Sequence, residues 1–94
     1  MALSMRDDFP PFLSDENGHL SMCDEQQNWL VIVTREAVEG MAEPADASLD
    51  RLLEYQDIFA AVATFKLEHG RAGDEATIWI QTDDVREWQS LQPI

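Results

Sequence analysis

"NWLVIVT", residues 28–34, is a β-branched run in which both odd and even positions are apolar. Successive side chains of a strand point to opposite faces, so this segment is a strand apolar on both sides, and its place is the middle of a sheet. The rest of the chain is read outward from it. Upstream, the "DEQQ" turn at 24–27 separates it from "GHLSMC" (18–23), where Leu20 and Met22 alternate with polar residues and predict a second strand. Asn17-Gly18, a pair that tolerates positive φ, stands before that strand as its turn. The first 13 residues contain "FPP" and no periodicity, and read as an extended lead-in anchored by Phe9 and Phe12.

Downstream, Thr34 is placed to cap a short helix that runs to Gly40, with Glu36 in its first turn, and "EPADA" ends it. Ser48 caps the main predicted helix, 49–69. On one face of that helix fall Leu49, Leu52, Phe59, Ala63 and Leu67, a stripe for packing on the sheet. Ile58, Val62 and Phe65 recur outside that stripe as a second apolar seam, and Asp50, Glu54, Asp57 and Glu68 form an acidic stripe opposite. "ATIWIQT" (76–82) predicts the third strand, with Ile78 and Ile80 on one side and Trp79 on the other. Thr82 caps a last helix in which Val85 and Trp88 share a face.

The expected fold is therefore α+β. A three-stranded, mainly antiparallel sheet carries one long helix on one face, in the order ββααβ, with a short C-terminal helix. The domain spans 14–85, between the lead-in of residues 1–13 and an extension of residues 86–94. One helix covers one side of a sheet, yet Trp29, Val31 and Val33 alternate with Leu30 and Ile32, and both sides are apolar. The second side has to be covered by the C-terminal helix or by another chain.

Composition narrows the function classes. The 94 residues include 19 acids against 6 bases, a net charge of −13, and the apolar fraction of 45% is that of a folded domain. A surface this negative repels nucleic acid and anionic membranes, so neither direct nucleic-acid binding nor membrane binding is expected. A single cysteine, Cys23, forms no internal disulfide, and the start "MALSMRDDFPPF" does not resemble a signal peptide; the chain reads as cytoplasmic.

Three stretches invite a chemical reading. "HGRAG" (69–73) has the glycines of an anion cradle, and "GRAG" matches the GXXG clamp of nucleic-acid-binding KH domains. Phosphate loops, however, run from strand into helix, where backbone N–H groups face the anion; this loop runs from helix into strand and faces it with carbonyl oxygens. Gly70 reads instead as the left-handed residue that ends the helix. His19 and Cys23, four apart with no second pair, fall short of the usual four ligands of zinc, and "DENG" lacks the ordered acids of a calcium loop. No cofactor and no catalytic residue is expected: two histidines and many scattered carboxylates define no acid–base pair or triad.

The whole pattern resembles a family of small bacterial proteins known as a domain of unknown function, number 1488 in that series. The resemblance covers residues 9–85. It rests on "FP" at 9–10, "WLVIVTREAVEGM" at 29–41, "LLEYQDIFAAVATFKLEHGRAG" at 52–73 and "TIWIQTDDV" at 77–85. It implies an α+β domain ordered ββααβ and carries over no catalytic residue, since that family has no established activity. The chain departs from the pattern in its extension from Arg86 to Ile94 and in "HLSMCD", a poorer first strand.

Two functions fit these readings. The first is a non-enzymatic protein-interaction or regulatory module, self-associating through Ile58, Val62, Phe65 and Trp79. The alternative is an acidic decoy that imitates the charge of DNA through Asp50, Glu54, Asp57 and Glu68 and occupies a nucleic-acid-binding protein.

Overall fold

The computed structural model describes residues 3–71, 73 and 75–92. The chain is α+β, with five strands and four helices among these residues. The strands are β1 (Ser4–Met5), β2 (Phe12–Ser14), β3 (Asn17–Cys23), β4 (Asn28–Val33) and β5 (Thr77–Ile80). The helices are α1 (Arg35–Glu39), α2 (Leu49–Glu54), α3 (Gln56–Glu68) and α4 (Thr82–Ser90).

The sheet runs β1-β3-β4-β5, and β2 pairs with the same edge of β3 as β1. It is larger than the expected three strands and it is mixed: β3–β4 is antiparallel, whereas β4 and β5 are parallel. The reason is the connection, because a strand that returns after three helices has crossed over the sheet and re-enters in the same direction. "NWLVIV" is central as expected, paired on both sides, with Val31 and Val33 fully buried.

Residues 3–13, expected as a lead-in, are not a simple one, since they supply part of an edge of the sheet. Ser4 pairs with Cys23 and Met5 with Met22, Leu3 is buried, and its N–H donates to Thr64 Oγ1 at 3.3 Å. Phe9-Pro10-Pro11 divides this edge into two pieces, because proline has no N–H to give to a ladder. The β2–β3 turn lies at Asp15-Glu16, both at positive φ, and Asn17-Gly18 is already inside β3. The expected turn thus moves two residues upstream. Gly18 instead makes room for the helical layer, since a Cβ on it would stand 2.7 Å from Leu52 Cδ1.

Thr34 Oγ1 accepts from Ala37 N–H and Ser48 Oγ from Arg51 N–H, so both predicted caps form. The long helix does not run unbroken. Tyr55 leaves helical geometry (φ −111°, ψ 15°), closes α2 and opens α3. The last helix is capped at Gln81 rather than at Thr82: Asp84 Oδ2 accepts from Gln81 N–H at 2.8 Å, and Asp84 N–H donates to Gln81 O at 3.0 Å.

One hydrophobic core holds the helices to the sheet. Leu20, Met22, Val31, Val33, Ile78 and Ile80 form its floor; Val38 of α1, Leu52 of α2, Phe59, Val62 and Ala63 of α3, and Val85 of α4 form its roof. All four helices therefore pack on the same side. Among the described residues no helix is long and apolar enough to cross a membrane.

Candidate functional site

The residues singled out from the sequence separate once the fold is known. The seam of Ile58, Val62 and Phe65 is not a free surface. Val62 is fully buried, Ile58 packs against the core, and Phe65 is partly covered by His69, whose ring lies 4.3 Å away, and by the Arg71 guanidinium. The expected stripe is too narrow, because α3 packs on β5 and on α4 together and so buries a wider arc. Leu49, expected on the packed face, is 39% exposed. Asp50, Glu54, Asp57 and Glu68 are all exposed, but the break at Tyr55 places two on each helix.

The C-terminal helix does not cover the second side of the sheet: Val85 is buried in the core on the first side and Trp88 packs against it. Ala72, in the loop between Gly70 and Gly73, and residues 93–94 of the extension lie outside the described residues. Gly70 has φ +69°, its N–H bonds Leu67 O and the Arg71 N–H bonds Lys66 O. This is a Schellman ending, and these N–H groups are spent on helix carbonyls.

The second face of the sheet consequently carries none of the described helices, although Ile32 at its centre is only 9% exposed. The pairing aligns Phe12, His19, Ile32 and Trp79 in one row across four strands, with Ser21, Leu30 and Thr77 in the next and Cys23 beside Asn28 beyond. Phe12 is 43% and Trp79 45% exposed. Arg6, whose N–H bonds Ser21 O, continues the second row and lies 4.5 Å from the centre of the Phe9 ring. Among the described residues no Asp or Glu occupies an outward strand position on this face; the acids sit on the helical side or in the connections.

His19 lies in the middle of the row. Its ring stacks on Phe12 with centroids 4.8 Å apart and planes 10° from parallel, and Nε2 donates to Ser14 O at 3.3 Å. Nδ1 is buried without a hydrogen-bond partner. His19 and Cys23 share this face, but four residues of strand span about 13 Å, too far to ligate one ion. Among the described residues no group of three His, Cys, Asp or Glu is arranged to hold a metal.

At the end of the sheet the Asp24 carboxylate accepts from Gln26 N–H at 2.7 Å, Gln27 N–H at 2.9 Å and Trp29 Nε1 at 3.0 Å. Those donors, Gln26 N–H first, hold its pKa below the ordinary aspartate value. Far from this face, a depression of about 610 Å³ lies between the loop after α1 and α4, lined by Glu36, Glu39, Glu43 and Arg86 among others. It carries charge but presents no buried unpartnered group of the kind found at His19.

Sequence reasoning missed Arg51. This residue of α2 is buried, and its guanidinium donates to Glu39 O, Ala42 O and Pro44 O at 3.4, 3.1 and 2.8 Å. It ties the end of α1 and the following loop to α2. An arginine beside an apolar pair, "DRLL", is the signal that could have marked it.

No family model, curated protein or solved structure matches the chain.

Proposed function

We propose that the protein is a non-enzymatic interaction module that contacts another protein chain through the open face of its sheet, in the cytoplasm. The observation that carries this reading is the row Phe12–His19–Ile32–Trp79, in which Phe12 and Trp79 are half-exposed and none of the four is a carboxylate in a chain of net charge −13. Contiguous exposed apolar surface on a small domain marks a contact site, and buried aromatic rings dominate the energetics of such contacts. The four helices and the core on the other side act as a rigid backing.

The reading is tested by placing a photo-activatable benzoylphenylalanine at position 79 and, separately, at position 57 on α3, in cells of the native host. Adducts to protein from position 79 with none from position 57 support the open face. Adducts confined to position 57, with a basic nucleic-acid-binding protein as the product, would support the decoy reading built on Asp50, Glu54, Asp57 and Glu68 instead.

A further inference from the structure

The sheet ends at β5 on a strand suited to further pairing. "ATIWIQT" (76–82) holds β-branched and aromatic residues with no charge, proline or glycine, the composition of a segment that stacks on copies of itself. Leu30 N–H donates to Ala76 O and Thr34 N–H to Ile80 O. The backbone groups of the even-numbered residues therefore face β4, and those of Thr77 and Trp79 face the outer edge. At the other edge β1 and β2 offer only two and three residues on either side of Phe9-Pro10-Pro11, pieces too short to template a strand.

Both outer carbonyls of β5 are already occupied from within the chain. Gly73 N–H donates to Thr77 O at 2.8 Å, and a Cβ on Gly73 would stand 2.9 Å from that oxygen, so this approach needs glycine. Lys66 Nζ of α3 donates to Trp79 O at 2.6 Å. Asp84 Oδ2, which also accepts from Gln81 N–H at 2.8 Å, holds the ammonium at 3.0 Å, and the lysine side chain is only 12% exposed. Lys66 is the one lysine in the sequence.

We propose that Lys66 is an edge guard, an internal contact that keeps a second copy of the chain from adding its own β5 to this one. An incoming strand would have to displace the ammonium from Trp79 O and leave it unpaired in the seam, and both steps oppose pairing. Net charge alone is a weaker barrier. At physiological salt the repulsion between separated charges fades over about 8 Å, whereas the lysine acts at contact distance. The guard is independent of the sheet face: it holds whether or not Phe12 and Trp79 meet a partner.

Lys66→Met tests the proposal, because it keeps the aliphatic stem and removes the ammonium while making a chain of net charge −13 still more negative. Circular dichroism checks its fold, and sedimentation velocity of the full chain at physiological salt compares it with the wild type. Expected is assembly of the variant at concentrations about tenfold or more below any at which the wild type associates, against the change in charge. In that assembly the Thr77 and Trp79 amides gain protection from hydrogen exchange, as edge pairing demands and face contact does not. Arg86→Met, which removes the same charge from an exposed position of α4, serves as the control and behaves as the wild type.

A folded Lys66→Met that associates no more readily than the wild type overturns the proposal, and so does an assembly in which the Thr77 and Trp79 amides still exchange freely. The wild type supplies a second measurement, since one lysine gives one Nζ signal in nuclear magnetic resonance. A coupling from that signal to the Trp79 carbonyl carbon is expected; a freely exchanging ammonium overturns the guard even where the variant fails to fold. Loss of the cross-link from position 79 would remove the interaction module and leave the guard standing.

Discussion

A Cβ built on Gly18 in β3 would lie 2.7 Å from Leu52 Cδ1 and 3.3 Å from Leu52 Cγ, so the contact between Leu52 of α2 and the sheet depends on a missing side chain. Leu52 is fully buried in the core. Gly18→Ala forces a shift of α2 and is expected to cost about 1–3 kcal/mol, the range for adding a methyl to a filled core. Urea denaturation checks this. A double variant that also carries Leu52→Val should recover part of the loss, since it removes the methylene in conflict.

Arg51 fastens the loop after α1 through three backbone carbonyls. Arg51→Met keeps the apolar stem but leaves those acceptors to water, with an expected loss of about 2 kcal/mol. Lysine cannot reproduce the planar fork, so Arg51→Lys should recover only part. Amide exchange in residues 39–46 should accelerate in both variants before global unfolding.

Gly70 ends α3 at φ +69° with nothing within 4 Å of an added Cβ, so the whole cost of a side chain there is conformational. Gly70→Ala is expected to destabilise by about 1 kcal/mol, and Gly70→Asn by less. Phosphate should leave the melting temperature of the wild type unchanged, because the Gly70 and Arg71 N–H groups already bond Leu67 O and Lys66 O. A rise abolished by Arg71→Ala would show an anion site instead.

Asp24 supplies a pH dependence. Its pKa is lowered on folding, chiefly by the Gln26 and Gln27 N–H groups and then by Trp29 Nε1. Its contribution is therefore fully present above the unfolded aspartate value of about 4 and is lost as pH falls through the lower folded value. Asp24→Asn should lower the melting temperature near neutrality and flatten its acid limb. Trp29 fluorescence should report the loosened turn in the same titration.

Several elements are legible in the order of residues alone, because local chemistry specifies them. "NWLVIV" is a paired central strand because it is β-branched and apolar on both sides; Thr34 and Ser48 cap because their hydroxyls reach an N–H within one turn; Gly70 ends a helix because only glycine takes positive φ without strain. Alternation along β5 likewise assigns Ile78 and Ile80 to one side and Trp79 to the other. These features depend on a few neighbouring residues, and the sequence by itself determined them.

Tertiary packing decided the rest. The parallel pairing of β4 and β5, the recruitment of residues 3–14 to the sheet edge, and the burial of Val62 and Arg51 depend on which elements meet, and periodicity along one segment carries no record of its neighbours. The open face is the clearest case. Its row joins Phe12, His19, Ile32 and Trp79 from four strands, and strand register, a long-range property set when the helices choose one side of the sheet, is what brings these four residues together.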